Sequence, residues 1–389
     1  MKLAFLTPEF PHPKTETSGG IGTSILNLSK GLVASGNQVV VIVYGQEKDE
    51  VFQDNGLTIY KIKNIKFKGL SLYLTQKKIE KLINKLYKEK KLTIIEAPEW
   101  TGITSYIKPI CPLVIKLHGS DTYFCHLDNR PVKFWNKFHE KRAMKNADAL
   151  LSVSQYTADL TKELFSIQVD FTVIPNGIDI DKFCLEDKIE IQEYTILYFG
   201  TLIRKKGLLE LPLIFNEVYK KNNKAKLILV GRDASDIISG NASTWAMMQS
   251  LFDVESIRNV TYIGSVSHEK IKYHISTSTV CVFPTFAEAL PVSWIEAMAM
   301  QKAIVASNIG WSSEVIEDGI NGYLVHPKKY QEYADKVLKL LDDSALRNQF
   351  GVEARKKVVQ KFSSEVVAKQ NIDFYKKIVQ TFNANQLEQ

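Results

Sequence analysis

The chain has 389 residues, of which 45% are hydrophobic and 24% charged, and carries a net charge of +7. That length exceeds one ordinary core and points to two domains, with the composition of a soluble globular protein. No apolar run approaches the roughly 18 residues of a membrane span, and the four scattered cysteines (Cys111, Cys125, Cys184, Cys281) lack metal-type spacing and read as reduced thiols of a cytoplasmic protein.

The N-terminal stretch Met1-Lys-Leu-Ala-Phe-Leu-Thr-Pro is too short in apolar length for a signal peptide and reads as a first strand, Lys2–Leu6. Further strands are expected at Val39–Val43, Thr93–Glu96, Leu113–Leu117, Ala149–Val153 and Phe171–Ile174, with helices over Gly22–Ser35 and Gln76–Lys90. In the second helix Ile79, Leu82, Ile83, Leu86 and Tyr87 recur at helical spacing, so that face packs and the lysines point outward. Eleven lysines lie between Lys61 and Lys91, against only Glu80 and Glu89. The plain reading of that run is a solvated loop and helix face. The sharper one is attraction to anionic lipid headgroups or to an anionic acceptor. Nucleic acid is disfavoured, because few aromatics interleave with the charges and no nucleic-acid motif accompanies them.

The charged, loosely patterned segment Asp179–Glu193 marks the linker, and the pattern then restarts. Short apolar strands are expected at Thr195–Phe199, Lys226–Val230, Val260–Ile263, Thr279–Phe283 and Ala303–Ala306, with helices between them. A last helix, Ser363 to about Val379, is expected to return to the first domain. Strands alternating with helices argue for an α/β fold of parallel sheets covered on both faces. The implied division is a domain over 1–185, a second over 186–362, and the terminal helix over 363–389.

Chemistry concentrates where strands end. After the apolar run Val280–Phe283 comes Glu288-Ala-Leu-Pro-Val-Ser-Trp-Ile-Glu296, in which Pro291 sits where a helix begins, since proline suits the first helical position. One carboxylate then lies in the loop and the other about one and a half turns into the helix, and the helix N-terminus offers free amides to a phosphate. Phe199-Gly-Thr-Leu-Ile-Arg204-Lys205-Lys206-Gly207 follows another strand; Gly200 permits close approach, and the three cations suit a diphosphate. His118-Gly-Ser-Asp121 ends a strand, where ligands of open α/β sheets bind. Ser18-Gly19-Gly20-Ile-Gly22 opens a helix but is not a full dinucleotide fingerprint, and no acidic partner follows the second strand. Asn176-Gly177 is either a structural crossover or a functional turn.

Taken in order, these motifs resemble those of the family-four glycosyltransferases (group 1), whose GT-B architecture has two Rossmann-like domains with parallel sheets facing across a cleft. The resemblance runs from Met1 to about Val379. It rests first on the Glu288 and Glu296 pair, then on Val173-Ile-Pro-Asn-Gly-Ile-Asp179, Lys206-Gly207 and Gly19-Gly-Ile-Gly22. It implies that Glu296 holds the ribose hydroxyls, that Glu288 contacts the donor sugar, and that the amides near Leu290, Val292 and Ser293 face sugar or phosphate. It further implies that Lys206 binds the diphosphate, that His118 lies near the transferred sugar, and that Gly19, Gly20 and Gly22 line the cleft. Thr201 stands where relatives commonly carry arginine, so Arg204 or Lys205 is expected to supply that charge; Ala289-Leu290 replaces a common Gly-Phe.

The activity implied is retaining transfer of a sugar from a nucleoside diphosphate sugar to an acceptor hydroxyl, with no cofactor beyond that co-substrate and no metal. The expected acceptor is a glycan or a lipid-linked intermediate of cell-surface polysaccharide, lipopolysaccharide or glycolipid synthesis, met in the cytoplasm or peripherally at the inner face of an anionic membrane. The alternatives are a sugar-nucleotide epimerase or sugar phosphorylase of the same architecture, or a non-catalytic carbohydrate-binding protein.

Overall fold

The structure is a computed structural model describing residues 1–15, 18–184 and 189–387. It divides into two compact bodies, Met1–Gly177 with Phe362–Gln389, and Ile178–Lys361. Residues 185–188 of the expected linker, with the expected domain boundary, lie outside the described residues.

The first body is built on an eight-stranded sheet: β1 (Lys2–Thr7), β2 (Gln38–Gln46), β3 (Glu50–Asp54), β4 (Leu57–Lys63), β5 (Ile94–Pro98), β6 (Leu113–Leu117), β7 (Ala149–Ser152) and β8 (Thr172–Val173). Their order is β3-β4-β2-β1-β5-β6-β7-β8. All neighbours are parallel except β3 and β4. The central strands are buried along almost their whole length, β5 and β6 completely, because helices cover both faces; this is why they read as continuous apolar runs rather than alternations. One layer is sealed by Ile79, Ile83 and Leu86 of the helix Ser71–Lys88. The other is sealed by Ile25, Leu28 and Leu32 of the helix Gly20–Ala34, together with Val367, Ala368 and Tyr375 of the C-terminal helix Ser364–Leu387. Tyr375 donates its hydroxyl hydrogen to Glu96 at 2.6 Å, tying that helix to β5.

The antiparallel β3–β4 hairpin is absent from the sequence expectation. Asn55 and Gly56 turn it with φ of 47° and 78°, both positive, as a two-residue type I′ connection requires. The hairpin also corrects the reading of the basic run as loop and helix face. Lys61 and Lys63 belong to β4, and Lys61 is buried, with its ammonium on the Lys14 carbonyl.

The second body carries a six-stranded, all-parallel sheet: β9 (Thr195–Phe199), β10 (Lys226–Val230), β11 (Val260–Gly264), β12 (Val280–Phe283), β13 (Ile304–Ala306) and β14 (Tyr323–Leu324), in the order β11-β10-β9-β12-β13-β14. From β9 the chain winds outward through β10 and β11, then returns to lay β12 on the other side of β9. The point between β9 and β12 is therefore the topological switch point, where open α/β sheets leave a crevice at their strand ends.

Candidate active site

The loops leaving β9 and β12 are neighbours because their strands pair in parallel, Val280 with Ile196 and Cys281 with Leu197. They are also fastened to each other. The amides of Phe286 and Ala287 donate to the Lys205 carbonyl at 2.8 and 3.2 Å. Gly207 has φ of +73°, and a Cβ there would stand 1.8 Å from the Pro284 carbonyl oxygen. Only glycine combines that backbone with that approach. The short 3₁₀ turn Arg204–Lys206 is thereby pressed onto the loop that carries Glu288.

The outcome is an ion pair between Lys206 Nζ and Glu288 Oε1 at 3.0 Å. The two side chains are 23% and 18% exposed, so a ligand can reach them while much of the bulk solvent is excluded. Burial works against the ammonium of Lys206, but Glu288, Tyr198 and Glu296 outweigh it and hold its pKa above the ordinary lysine value. Gly200, at the end of β9, lies against this group: a Cβ there would be 3.2 Å from the Tyr198 hydroxyl and 3.5 Å from Lys206 Nζ.

Glu296 projects from the helix Val292–Ala299. Burial pushes its carboxyl up to about 7, with Lys182 and then Lys206 pulling the other way. The field of Glu296 also reaches Lys206, so the two glutamates and the lysine share one local environment. Pro291 is the N-cap of this helix, with φ of −76° and ψ of 107°, rather than its first helical residue. The extended ψ ends the loop and starts the helix one position later than expected. Leu290 is buried, and Val292 and Ser293, which open the helix, are partly exposed.

Arg204 departs from expectation. Its Nε and Nη2 donate to Asp236 Oδ1 and Oδ2 at 2.8 and 2.6 Å. Asp236 is itself buried and also holds Ser239. Arg204 is thus committed as a two-pronged clamp on the segment after β10, and hydrogen bonding to it holds Asp236 well below the usual carboxylate range. Of the two residues expected to replace the arginine missing at Thr201, Arg204 and Lys205, the first is engaged by Asp236, while Lys206 pairs with Glu288.

Gly19, Gly20, Gly22 and His118 belong to the first body, at the carboxyl ends of β1 and β6. The N-terminus of the Gly20–Ala34 helix already meets a carboxylate: the Gly22 amide donates to Glu9 Oε1 at 3.0 Å. The His118 amide donates to both oxygens of Glu99, at 2.8 and 3.0 Å. Burial, with Lys116 next to it in charge, drives the His118 ring down to about 3, so the ring is neutral at physiological pH. Glu99 itself is pushed up to about 8 by burial. Glu140, also buried, accepts from the amides of Thr101, Asp121 and Thr122 and from the Thr122 hydroxyl. Sequence reasoning did not single out Glu9, Glu99, Glu140, Lys182, Tyr198 or Asp236. Glu99 alone left a signal, as an acid directly after a buried strand. Asn176 is anchored to the first helix: its Oδ1 accepts from the buried Ser24 hydroxyl at 2.6 Å.

The family model for glycosyl transferases group 1 matches residues 185–357, and that for Glycosyltransferase Family 4 matches residues 18–182. An uncharacterized glycosyltransferase of Methanocaldococcus jannaschii is 26% identical over 402 aligned positions, covering 97% of this chain and 98% of its own. Among solved structures, sucrose-phosphate synthase from Thermosynechococcus elongatus superimposes with a TM-score of 0.79 at 19% identity, over 98% of this chain and 100% of its own. The Anabaena protein HepE, solved in complex with UDP-glucose, gives a TM-score of 0.73 at 17% identity over 97% and 100%. At those identities the two structures speak to the fold alone.

Proposed function

This chain belongs to the group 1 glycosyltransferases of GT-B architecture, and from that premise we propose that it transfers a sugar from a nucleoside diphosphate sugar to an acceptor hydroxyl with retention of anomeric configuration. The observation that carries the reading is the Lys206–Glu288 pair, in the same local environment as Glu296, at the switch point of the second sheet. Two acids suit hydroxyl groups and one cation suits a diphosphate. The solved complex of HepE with UDP-glucose supports a nucleotide sugar as the ligand class.

In this mechanism the developing charge is on the leaving diphosphate. Lys206 exchanges Glu288 for a phosphate oxygen, and the first amides of the helix Val292–Ala299 add the positive end of its dipole. Glu288, released from the lysine, turns to the hydroxyls of the donor sugar. Glu296 accepts from the ribose hydroxyls. Such charge stabilisation, aimed at the leaving group, is worth about 3 kcal/mol per contact. The acceptor, a glycan or lipid-linked intermediate of cell-surface glycan synthesis, is assigned to the first body, where His118 offers a neutral ring and the exposed Gly19 and Gly20, at the start of the helix Gly20–Ala34, a small-residue surface. Lys206 and helix amides take the charge-neutralising role that a divalent cation plays elsewhere.

The test is a panel of UDP-, GDP- and ADP-sugars offered with candidate acceptors, with products read by mass spectrometry and anomeric configuration by NMR. An acceptor-dependent product of retained configuration, formed equally well in chelator, is the expected result. Isomerised donor without acceptor, or dependence on free phosphate, would establish an epimerase or a phosphorylase instead.

A further inference from the structure

The first body exposes a connected aromatic surface that plays no part in the chemistry above. Trp135 and Phe134, at the start of the helix Phe134–Lys145, are 65% and 71% exposed. Their rings are 5.4 Å apart, and Phe138 follows at 5.9 Å from Trp135. From Trp135 the chain of rings runs through His139 to Tyr106 and on to Tyr73, at centroid distances of 6.2, 5.8 and 5.8 Å. Tyr73 sits in the first turn of the helix Ser71–Lys88, beside the exposed Leu70 and Leu72 and near Phe67. Two segments far apart in sequence thus place their exposed apolar side chains on one patch. An isolated exposed hydrophobic residue needs no explanation, but a contiguous aromatic surface of this kind marks an interaction site.

Cations outnumber acids around it, although two of them are already paired, Lys77 with Glu80 and Lys78 with Asp49. Residues 64–79 contain Lys66, Lys68, Lys77 and Lys78 and no acid; residues 131–139 contain Lys133 and Lys137 and no acid. Lys66, Lys68 and Lys133 are exposed. Aromatic rings whose edges can sit among headgroups, with lysines between them, match the chemistry of an anionic bilayer surface: the rings supply apolar burial, and the ammonium groups supply attraction to lipid phosphates. A protein partner would demand shape and paired hydrogen bonds, whereas this patch offers flexible cations and flat rings.

We infer that the surface formed by Phe67, Leu70, Tyr73, Phe134, Trp135 and Phe138 seats the first body on an anionic lipid bilayer. Binding at this surface requires no donor, so it stands or falls apart from the transferase reading. It also moves the membrane contact away from the outward lysines of the helix Ser71–Lys88, on which the basic run alone would place it, and onto the aromatic patch at that helix's start.

The experiment is flotation of the full chain with vesicles of phosphatidylcholine alone and of an equimolar mixture with phosphatidylglycerol, without donor, at low and high salt. Binding is expected only with phosphatidylglycerol and is expected to weaken with salt. The double variant F134S/W135S, whose residues are exposed and leave the fold intact, should reduce partitioning by about tenfold or more. The control I237S/V254S, which removes two equally exposed apolar residues of the second body, should leave it unchanged. Tryptophan emission should be quenched by lipids brominated in the acyl chain, and W135F should abolish the quenching. The inference is overturned by absence of flotation at low salt, by flotation that F134S/W135S leaves intact, or by lipid-free self-association that the same variant abolishes.

Discussion

The acids of the two candidate sites are held in different ways. In the first body, carboxylates are turned onto the backbone, Glu99 and Glu140 buried and Glu9 partly so. Glu99 holds the His118 amide, Glu140 holds three amides and a hydroxyl, and Glu9 meets the Gly22 amide. In the second, side-chain charges meet one another: Lys206 pairs with Glu288, and Glu296 lies in their field. An acid bound to backbone amides is a strut, since removing it leaves several buried donors unsatisfied. An acid paired with a partly exposed lysine can exchange that partner for a ligand. The comparison teaches that acidic residues at strand ends are not interchangeable evidence of catalysis; what they hold decides what they do.

That contrast can be broken by substitution, and the largest effect is expected in the strut. Glu140→Ala should destabilise the protein by about 3–5 kcal/mol, read from the denaturant midpoint. A change near zero would mean that the loop 118–122 does not depend on it. Lys206→Ala should lower the transfer rate by about 10²–10³ while shifting the denaturation midpoint less than Glu140→Ala does, because the ion pair it removes is partly exposed. A loss of rate no larger than that of Lys224→Ala, an exposed lysine elsewhere on the same body, would remove Lys206 from the site.

The smallest effect is a pH dependence. Glu296 has its folded pKa raised from 4.5 to about 7, so the folded state binds this proton more tightly than the unfolded chain. Its contribution to stability is therefore present in full below pH 4.5 and is lost as pH rises through 7. Over that window the wild type should lose stability relative to Glu296→Gln, whose glutamine does not titrate. Donor affinity should move the opposite way, rising through pH 7 in the wild type as the carboxylate forms to accept ribose hydroxyls, and staying flat in the variant. Parallel pH curves for the two proteins would show that the position does not titrate there.

Much of the architecture was legible in the chain, and for a clear reason. Strands buried on both faces must be continuous apolar runs, so β6, β9 and β10 appear with the bounds expected of them. The helix Ser71–Lys88 buries the stripe Ile79, Ile83 and Leu86 that its periodicity announced. The β3–β4 hairpin was missed because its strands are half exposed and rich in charge, although Asn55-Gly56 signalled the turn. The site was legible in part. Glu288, Glu296 and Lys206 stood out because they follow buried strands; the structure pairs Lys206 with Glu288, and Glu296 lies within electrostatic reach of that lysine. The fate of Arg204 was not legible: its partner Asp236 lies 32 residues further on, in a segment with no motif. Likewise nothing local tied Phe134 to Tyr73, which are linked only through the rings of Trp135, His139 and Tyr106.

Local pattern alone determined that this chain alternates strand and helix, that its strands lie inside, and which polar residues stand at strand ends, because burial period and turn chemistry act over a few residues. Which of those polar residues face one another was decided only by the order of strands in the sheet. The return of β12 to the side of β9 sets Glu288 on Lys206, and the close approach at Gly207 holds it there. Hydrogen bonds and ion pairs act over a few ångströms in space, and pairs such as Arg204 with Asp236 or Glu140 with Thr101 come within that range only when the whole sheet has assembled.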